Sequence, residues 1–252
     1  MSNRTLAISI LSILLLFIVI VGAVRIYRGS QETSPADDQT AQQNPPVADN
    51  QQAQPASEQA SSTPPAASCQ RDFNSAELGK NASLSIANRQ ATINVAGFGD
   101  IKLEFYDKDA PKAVENFLRL ADAGYYDCLT FHRVAKGFVV QGGDPNGNGS
   151  GGQSAFGQPF ADELNPDTPS YKAGYVKGVL AMANSGPNTN GSQFFIMLAD
   201  NDLPHNYTIF GKVIAGQDVV DKIGQVDITP VMGPQDGSPV TPVVMQSVKI
   251  TK

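Results

Sequence analysis

The hydrophobic pattern changes twice along the chain and divides it into three parts. Residues 6–24 form an apolar run without a charged side chain, whereas the 40 residues after residue 28 contain almost no large apolar side chain. In the rest of the chain, short apolar segments alternate with polar and glycine-rich turns. These changes predict three domains, over residues 1–28, 29–68 and 69–252.

The last of these parts carries the pattern of a β protein. Residues 91–96 and 100–106 alternate apolar and polar positions around Gly97-Phe98-Gly99, which predicts a β-hairpin. Further strands are predicted at residues 129–134, 138–140, 179–182, 193–198, 207–213 and 243–250. Many short strands separated by turn signals predict a closed barrel or sandwich with helical caps.

Two segments carry a helical pattern instead. Pro111 suits the first turn of a helix, where a missing N–H costs nothing, and Gly124 suits the position after its end. The apolar positions between them at helical spacing are Val114, Phe117, Leu118 and Ala121. A second, shorter helix is predicted at residues 217–223.

The apolar run of residues 6–24 predicts a transmembrane helix or a signal peptide. As a helix it would span about 28 Å, close to the ~30 Å hydrocarbon core of a bilayer. This length favours an anchor, because the apolar region of a signal peptide usually has about 7–15 residues. Val21-Gly22-Ala23 leaves cleavage open as the alternative. We expect a single-pass cell-membrane protein with its globular domain on the extracytoplasmic side.

Composition predicts a disordered segment and excludes one class of partner. Residues 29–68 are rich in Gln, Ala, Pro and Ser, so they cannot bury enough apolar surface to fold and predict a disordered linker. The formal net charge of −6, without a basic cluster, argues against nucleic acid as a partner.

The two cysteines, Cys69 and Cys128, form no CxxC motif. A disulfide between them is plausible if the domain is exported, and two free thiols remain the alternative.

Residues 144–149 match the first half of a calcium-binding EF-hand loop, but Ala155 stands where the bidentate glutamate should be. His132 and His205 lie on separate segments, so we predict no metal site.

Two stretches collect polar and aromatic side chains that could line a single groove. In residues 131–144 (FHRVAKGFVVQGGD), strand alternation puts Arg133 on the same face as a phenylalanine. Such an arginine is either an edge charge in solvent or a donor positioned in a groove. Residues 181–195 (AMANSGPNTNGSQFF) are rich in small and amide side chains, and Gln193 and Phe195 share one strand face.

Together with YTIFGKV, which begins at Tyr207, these stretches resemble the cyclophilin family of peptidyl-prolyl isomerases. The resemblance covers about residues 91–250, and the N-terminal apolar run predicts a membrane-anchored bacterial type. It implies a mostly-β fold, a closed eight-stranded antiparallel β-barrel capped by two α-helices, with a peptide groove on one face. It also implies proline-containing polypeptides as partners, a monomeric catalytic domain and no cofactor.

The resemblance implies catalytic roles for Arg133 and Gln141. The positions that it implies for substrate binding are Phe138, Val139, Ala183, Asn184, Gln193, Phe195, Leu203 and Tyr207. Arg133 would donate a hydrogen bond to the proline nitrogen in the twisted transition state, and Gln141 would hold the guanidinium. His132, on the opposite strand face, is interpreted as structural.

The chain departs from the family pattern at the groove rim. Val139 stands where the family often has methionine, and Tyr207 where it has histidine. The family's frequent tryptophan has no counterpart in this chain, which contains no tryptophan, and Leu203 is the expected wall residue in its place. We therefore expect weak binding of cyclosporin.

The leading hypothesis is an isomerase that rotates Xaa–Pro bonds and assists the folding of exported proteins. The alternative is a chaperone module that binds proline-containing peptides without significant turnover. Intact Arg133 and Gln141 favour the enzyme.

Overall fold

The computed structural model describes residues 84–251 and three earlier positions, Cys69, Phe73 and Leu78. The predicted anchor over residues 1–28 and the predicted linker over residues 29–68 lie outside this part. Among the described residues, the helices are all too short or too polar to cross a membrane. The structure therefore bears on the globular domain alone.

The domain is built around one antiparallel sheet of ten strands. They are β1 (Gln90–Val95), β2 (Gly99–Phe105), β3 (Thr130–Ala135), β4 (Val139–Asp144), β5 (Val179–Met182), β6 (Phe194–Met197), β7 (Ile209–Ala215), β8 (Ile228–Gly233), β9 (Asp236–Pro239) and β10 (Met245–Ile250). Their order in the sheet is β10-β1-β2-β7-β5-β6-β4-β3-β9-β8. The predicted mostly-β class is confirmed, and each of the eight predicted strands overlaps an observed one.

The predicted closed eight-stranded barrel is wrong in two respects. The sheet has two further strands, β8 and β9, and its ends are not joined by a ladder of hydrogen bonds. β3 meets the segment before β10 at an isolated bridge between Thr130 and Val244. β9 also pairs with β3, where Ala135 lies opposite Asp236. The β8–β9 hairpin thus extends the sheet beyond the seam at which a barrel would close.

The β8–β9 hairpin is absent from the sequence prediction because its sequence is typical of a loop. Residues 228–239 contain three prolines and two glycines, and both residue types are depleted in strands. Pairing with β3, which is a tertiary contact, imposes the extended conformation. At Gly237 a side chain would not fit, because a Cβ atom would collide with the main chain of Thr229.

Residues 84–251 contain three helices, α1 (Pro111–Asp122), α2 (Pro169–Ala173) and α3 (Gln217–Ile223). α1 and α3 are the two predicted helices, whereas the short α2 was not predicted. The proline of α1 lies in its first turn, and Gly124 follows the helix with a φ of +70°. The four predicted apolar positions of α1 are buried. α1 packs against β10 and β7, and α3 packs against β2.

Strand alternation separates two apolar clusters. The inner cluster combines Phe117 of α1 with alternate strand residues such as Val140 and Phe194. Their sequence neighbours Val139 and Phe195 belong to a second, outer cluster, as the two-residue period of a strand requires. The inner cluster is the core of the domain, and the outer cluster forms the floor of a surface cavity.

A disulfide joins Cys69 to Cys128, with Cα atoms 5.5 Å apart. The sequence alone left this pairing open. The bond fastens the start of the globular domain to the segment between α1 and β3, across 59 residues of sequence. A disulfide that closes a loop of this length stabilises a fold by about 2–4 kcal/mol, chiefly by restricting the unfolded chain.

Candidate active site

A row of paired residues across four strands builds the centre of the site. Arg133 on β3 pairs with Gln141 on β4, which pairs in turn with Phe195 on β6. Phe195 pairs with Ala181 on β5. Directly opposed residues point to the same face of a sheet. Strand pairing therefore sets a cation, an amide and an aromatic ring side by side, although they come from two distant stretches of sequence.

A cavity of about 500 Å³ opens at this row. The predicted site residues that line it are Arg133, Phe138, Val139, Gln141, Ala183, Asn184, Phe195, Leu203 and Tyr207. Its volume lies within the range of about 300–1,000 Å³ that is usual for ligand sites. The structure thus brings the two predicted peptide-binding stretches to one cavity.

Arg133 is held in a fixed orientation by two acceptors. Its Nε and Nη2 donate to the two carboxylate oxygens of Asp236 over 2.8 and 2.7 Å. Its Nη1 donates to Oε1 of Gln141 over 2.9 Å. The hydrogen bond to Asp236 raises the pKa of Arg133 above its ordinary value, so the guanidinium stays charged. Within the part of the chain that the structure describes, three of the five guanidinium N–H groups are used, and one remains on each Nη atom.

Gln193 supports the site from behind and does not line the main cavity. Its Oε1 accepts a hydrogen bond from Nε2 of Gln141 over 2.9 Å. Its Nε2 donates to the carbonyl oxygens of Gly149 and Gly151 over 3.0 and 2.8 Å. It lines an adjoining polar cavity of about 230 Å³. The resemblance groups Gln193 with the substrate-binding residues, and the structure places it against Gln141 and in the wall of this adjoining cavity.

Apolar side chains form most of the remaining wall. The rings of Phe195 and Tyr207 meet edge to face, with centroids 5.5 Å apart. Phe138 and Leu203 are partly buried against the same outer cluster. Val139 is 2% exposed, so it belongs to the floor of the cavity. A compact apolar group entering the cavity would therefore lose its water on several sides.

The far rim is fixed by hydrogen bonds that leave one main-chain segment open. The Asn184 side chain donates to the carbonyl of Asn206 over 2.9 Å and accepts from the N–H of Gly186 over 3.2 Å. Among the described residues, the main-chain N–H and C=O of Asn184 have no hydrogen-bond partner. The hydroxyl of Tyr175 donates to the carbonyl of Tyr207 over 2.8 Å and accepts from its N–H over 3.1 Å. The main chain of Asn184 is thus the open edge for an extended peptide.

Asp144 organises the glycine-rich loop beside the cavity. It is 1% exposed. Its carboxylate accepts hydrogen bonds from the N–H groups of Asn146, Asn148 and Gly149 over 2.9, 3.0 and 2.6 Å. Burial by itself raises the pKa of Asp144, but these main-chain donors outweigh it and hold the pKa below its ordinary value. The carboxylate that begins the partial calcium motif therefore binds its own loop.

We expect Asp144→Asn to lower the free energy of unfolding by about 1–3 kcal/mol at neutral pH, because the amide offers one acceptor oxygen to three donors. Since the pKa of Asp144 is lower in the folded state, its stabilisation is complete above the unfolded pKa of about 3.9 and is lost as pH falls through the folded pKa. Urea unfolding of both proteins along an acid series measures this.

The difference between wild type and Asp144→Asn should shrink as the pH falls. Asp167→Asn, at an exposed aspartate, is the control and should leave stability unchanged. A difference that stays constant with pH would contradict a role for the carboxylate charge.

Two residues line the cavity that sequence reasoning did not place there. Asp236 is 103 residues from Arg133 in sequence and lies in the loop-like hairpin. The signal that could have found it is chemical, because a partly buried arginine requires an acceptor. His132, interpreted as structural, also borders the cavity. Burial lowers its pKa, and neither ring nitrogen has a hydrogen-bond partner among the described residues.

A fixed arginine beside an apolar cavity and an open peptide edge is an arrangement suited to binding a peptide at an amide next to an apolar ring. Residues 90–250 match the model of the family described as "Cyclophilin type peptidyl-prolyl cis-trans isomerase/CLD". The chain belongs to this family of cyclophilin-type peptidyl-prolyl cis-trans isomerases.

Similar proteins agree with this assignment. Peptidyl-prolyl cis-trans isomerase-like 1 of Neurospora crassa is 51% identical over 129 residues, which are 51% of this chain and 77% of that protein. Peptidyl-prolyl cis-trans isomerase-like 2 of Cryptococcus neoformans is 45% identical over 163 residues, which are 64% of this chain. The chain spans only 27% of that relative's length.

Solved structures support the fold. A cyclophilin-type isomerase of Cryptosporidium parvum has a TM-score of 0.59 at 36% sequence identity, covering 66% of this chain and 98% of that chain. A second structure of that protein was determined in the presence of the dipeptide Ala-Pro. These relatives are eukaryotic and give no support to the predicted membrane-anchored bacterial type.

Proposed function

We propose that the whole chain rotates Xaa–Pro bonds of exported polypeptides while anchored to a membrane by its N-terminal apolar run. The observation that carries the catalytic part is the geometry of Arg133. Asp236 and Gln141 fix its guanidinium, two N–H groups remain, and the apolar wall of the cavity lies beside it.

The chemistry requires a donor and a pocket, without a nucleophile. Rotation about an Xaa–Pro bond crosses a barrier of about 18–20 kcal/mol, because twisting breaks the amide resonance. In the twisted state the proline nitrogen regains a lone pair. A guanidinium N–H aimed at this nitrogen binds the twisted state better than either planar state, which lowers the barrier. We assign this donor to Arg133.

The site can supply the energy that the reaction needs. An acceleration of 10⁴–10⁶ corresponds to about 5–8 kcal/mol of differential stabilisation. A hydrogen bond from a charged donor contributes about 1.5–3 kcal/mol, and more in a cavity from which water is excluded. The orientation of Arg133 is set before substrate binds, so little is lost to reorganisation.

In the proposed arrangement, the proline ring of the substrate lies against the apolar part of the cavity wall. The proline ring contacts Phe138, Phe195 and Leu203, which supply apolar surface on three sides. The peptide main chain pairs with the open main chain of Asn184. The Ala-Pro dipeptide used with the Cryptosporidium protein supports this class of ligand.

The membrane and export parts of the proposal rest on sequence and on the disulfide. Residues 6–24 are long enough to span a bilayer as a helix. The disulfide between Cys69 and Cys128 supports an oxidising, extracytoplasmic compartment for the domain. Protease added to intact cells should remove the globular domain, and protection until the cells are lysed would contradict this orientation.

The catalytic proposal is tested with the full chain in detergent and a peptide that contains one proline. Exchange between the cis and trans forms is followed by NMR at equilibrium, with and without protein. We expect exchange to accelerate in proportion to the protein concentration. Binding of the peptide without faster exchange would support the alternative, a chaperone module without turnover.

A further inference from the structure

The β8–β9 hairpin brings a carboxylate into the active site. Pairing with β3 sets Asp236 opposite Ala135, two residues from Arg133. Its two oxygens accept from Nε and Nη2 of Arg133 in a bidentate pair. The side chains of Arg133 and Asp236 are 26% and 21% exposed, so the pair is largely shielded from solvent. Asp236 itself lines the cavity.

We propose that Asp236 is a positioning residue for the isomerisation and that it acts through Arg133. A bidentate carboxylate fixes both the plane and the rotation of a guanidinium. Gln141 alone, with one hydrogen bond, would fix only the position of Nη1. With Asp236 present, the two N–H groups left for the substrate lie in a plane that the hairpin determines.

The ion pair between Arg133 and Asp236 is expected to contribute little to the stability of the fold. An ion pair that is still partly exposed contributes about 0–1 kcal/mol to stability. A misplacement of a catalytic group by 1 Å, in contrast, can cost about 10²-fold in rate. The expected effect of losing Asp236 is therefore larger on catalysis than on folding.

The test uses the full chain in detergent and the variants Asp236→Asn and Asp236→Glu. We expect Asp236→Asn to lower kcat by about 10–100-fold with KM changed less than about threefold, because the cavity that holds the proline is intact. Asp236→Glu keeps a bidentate carboxylate and should restore part of the loss. The control is Asp227→Asn, which removes the same charge at an exposed position just before β8.

A double-mutant cycle separates positioning from a structural role. If Asp236 acts through Arg133, adding Asp236→Asn to Arg133→Ala should leave the residual rate unchanged. Thermal unfolding of Asp236→Asn should stay within a few degrees of wild type, in keeping with an ion pair that retains some contact with solvent. Wild-type kcat in Asp236→Asn, or a further loss in the double variant, would overturn the proposal. Absence of isomerisation in the wild type would instead overturn the proposed function on which it rests.

A separate observation concerns the apolar tip of the same hairpin. Strand pairing skips from Pro230–Gly237 to Gly233–Asp236, which leaves Val231 and Met232 as a bulge in β8. They are 70% and 72% exposed, and both line the cavity. Bulges re-aim side chains and are common beside active sites.

We infer that Val231 and Met232 bind a large apolar side chain next to the proline of the substrate. The bulge continues the apolar wall of the cavity outward, beyond the proline pocket. A leucine beside the proline of the substrate would pack on the side chains of Val231 and Met232, whereas a glutamate would bring a charged carboxylate against them. This subsite rests on the proposed function, because its occupant is part of the same peptide.

Peptides that carry Leu, Ser or Glu beside the proline test this subsite, with the substitution made on either side in turn. We expect the full chain to prefer Leu over Glu by about tenfold in kcat/KM, equivalent to burial of part of one side chain. The double variant Val231→Ser/Met232→Ser should lose this preference through a lower kcat/KM for the Leu peptide. The control is Val240→Ser, at a residue that is 62% exposed and lies outside the cavity lining. A preference that survives in the double variant would refute the subsite.

Discussion

Arg133→Ala is expected to lower kcat/KM for Xaa–Pro isomerisation by about 10²–10³-fold, the loss seen when one preorganised transition-state donor is removed. Alanine takes away the N–H groups aimed at the proline nitrogen, while the apolar wall formed by Phe138, Phe195 and Leu203 remains. Peptide binding should therefore change much less than the rate. NMR exchange measures the rate, and a titration of the same peptide measures the binding.

Arg133→Lys is the sharper comparison. Lysine keeps the positive charge but loses the planar fork that Asp236 and Gln141 hold. If orientation matters more than charge, this variant should lose most of the activity as well. Activity of Arg133→Ala within twofold of wild type would show that another group supplies the donor, even if the protein remains an isomerase.

Phe117→Ala is expected to produce the largest loss of stability among single substitutions in the domain core. Phe117 is fully buried. Its ring lies 4.8–5.7 Å from four aromatic rings, those of Phe105, Tyr126, Phe194 and Phe210. Truncation of a buried phenylalanine costs about 3–5 kcal/mol, because both transfer energy and packing are lost. For a domain of this size, the midpoint temperature of thermal unfolding should fall by roughly 6–20 °C.

Tyrosine signals replace tryptophan fluorescence in this measurement, because the chain contains no tryptophan. Near-ultraviolet circular dichroism is suitable, since Tyr126 stacks on Phe117. Phe117→Leu, which keeps most of the apolar volume, should recover more than half of the loss. Val240→Ala, at an exposed position, should change stability by less than about 0.5 kcal/mol. A Phe117→Ala protein as stable as Val240→Ala would mean that the aromatic cluster is not the centre of the core.

Arg133→Ala and Phe117→Ala probe the two opposite faces of the sheet. Phe117 packs in the inner cluster, together with Phe194 of β6. Phe195, the next residue along, faces the cavity with the outer cluster. Substitution of Phe117 in the core should mainly lower stability, whereas substitution of Arg133 should mainly lower the rate of isomerisation.

Local pattern by itself determined much of this protein. The two-residue alternation placed the first two strands, and short apolar segments between turn signals placed six more. The spacing of Val114, Phe117 and Leu118 placed the buried face of α1. These predictions succeed because strand and helix periods follow from backbone geometry, which each short segment carries in its own sequence. The motifs around Arg133 and Gln193 likewise pointed to the family before any contact was known.

Tertiary structure alone determined the β8–β9 hairpin and the contacts between residues that are far apart in sequence. The β8–β9 hairpin forms only by pairing with β3, since its prolines and glycines do not favour a strand. That pairing brings Asp236 to Arg133 across 103 residues. Pairing of β4 with β6 places Gln193 beside Gln141, outside the lining of the main cavity. A contact between distant residues depends on the register of the strands that carry them, and register is set by the packing of the whole sheet.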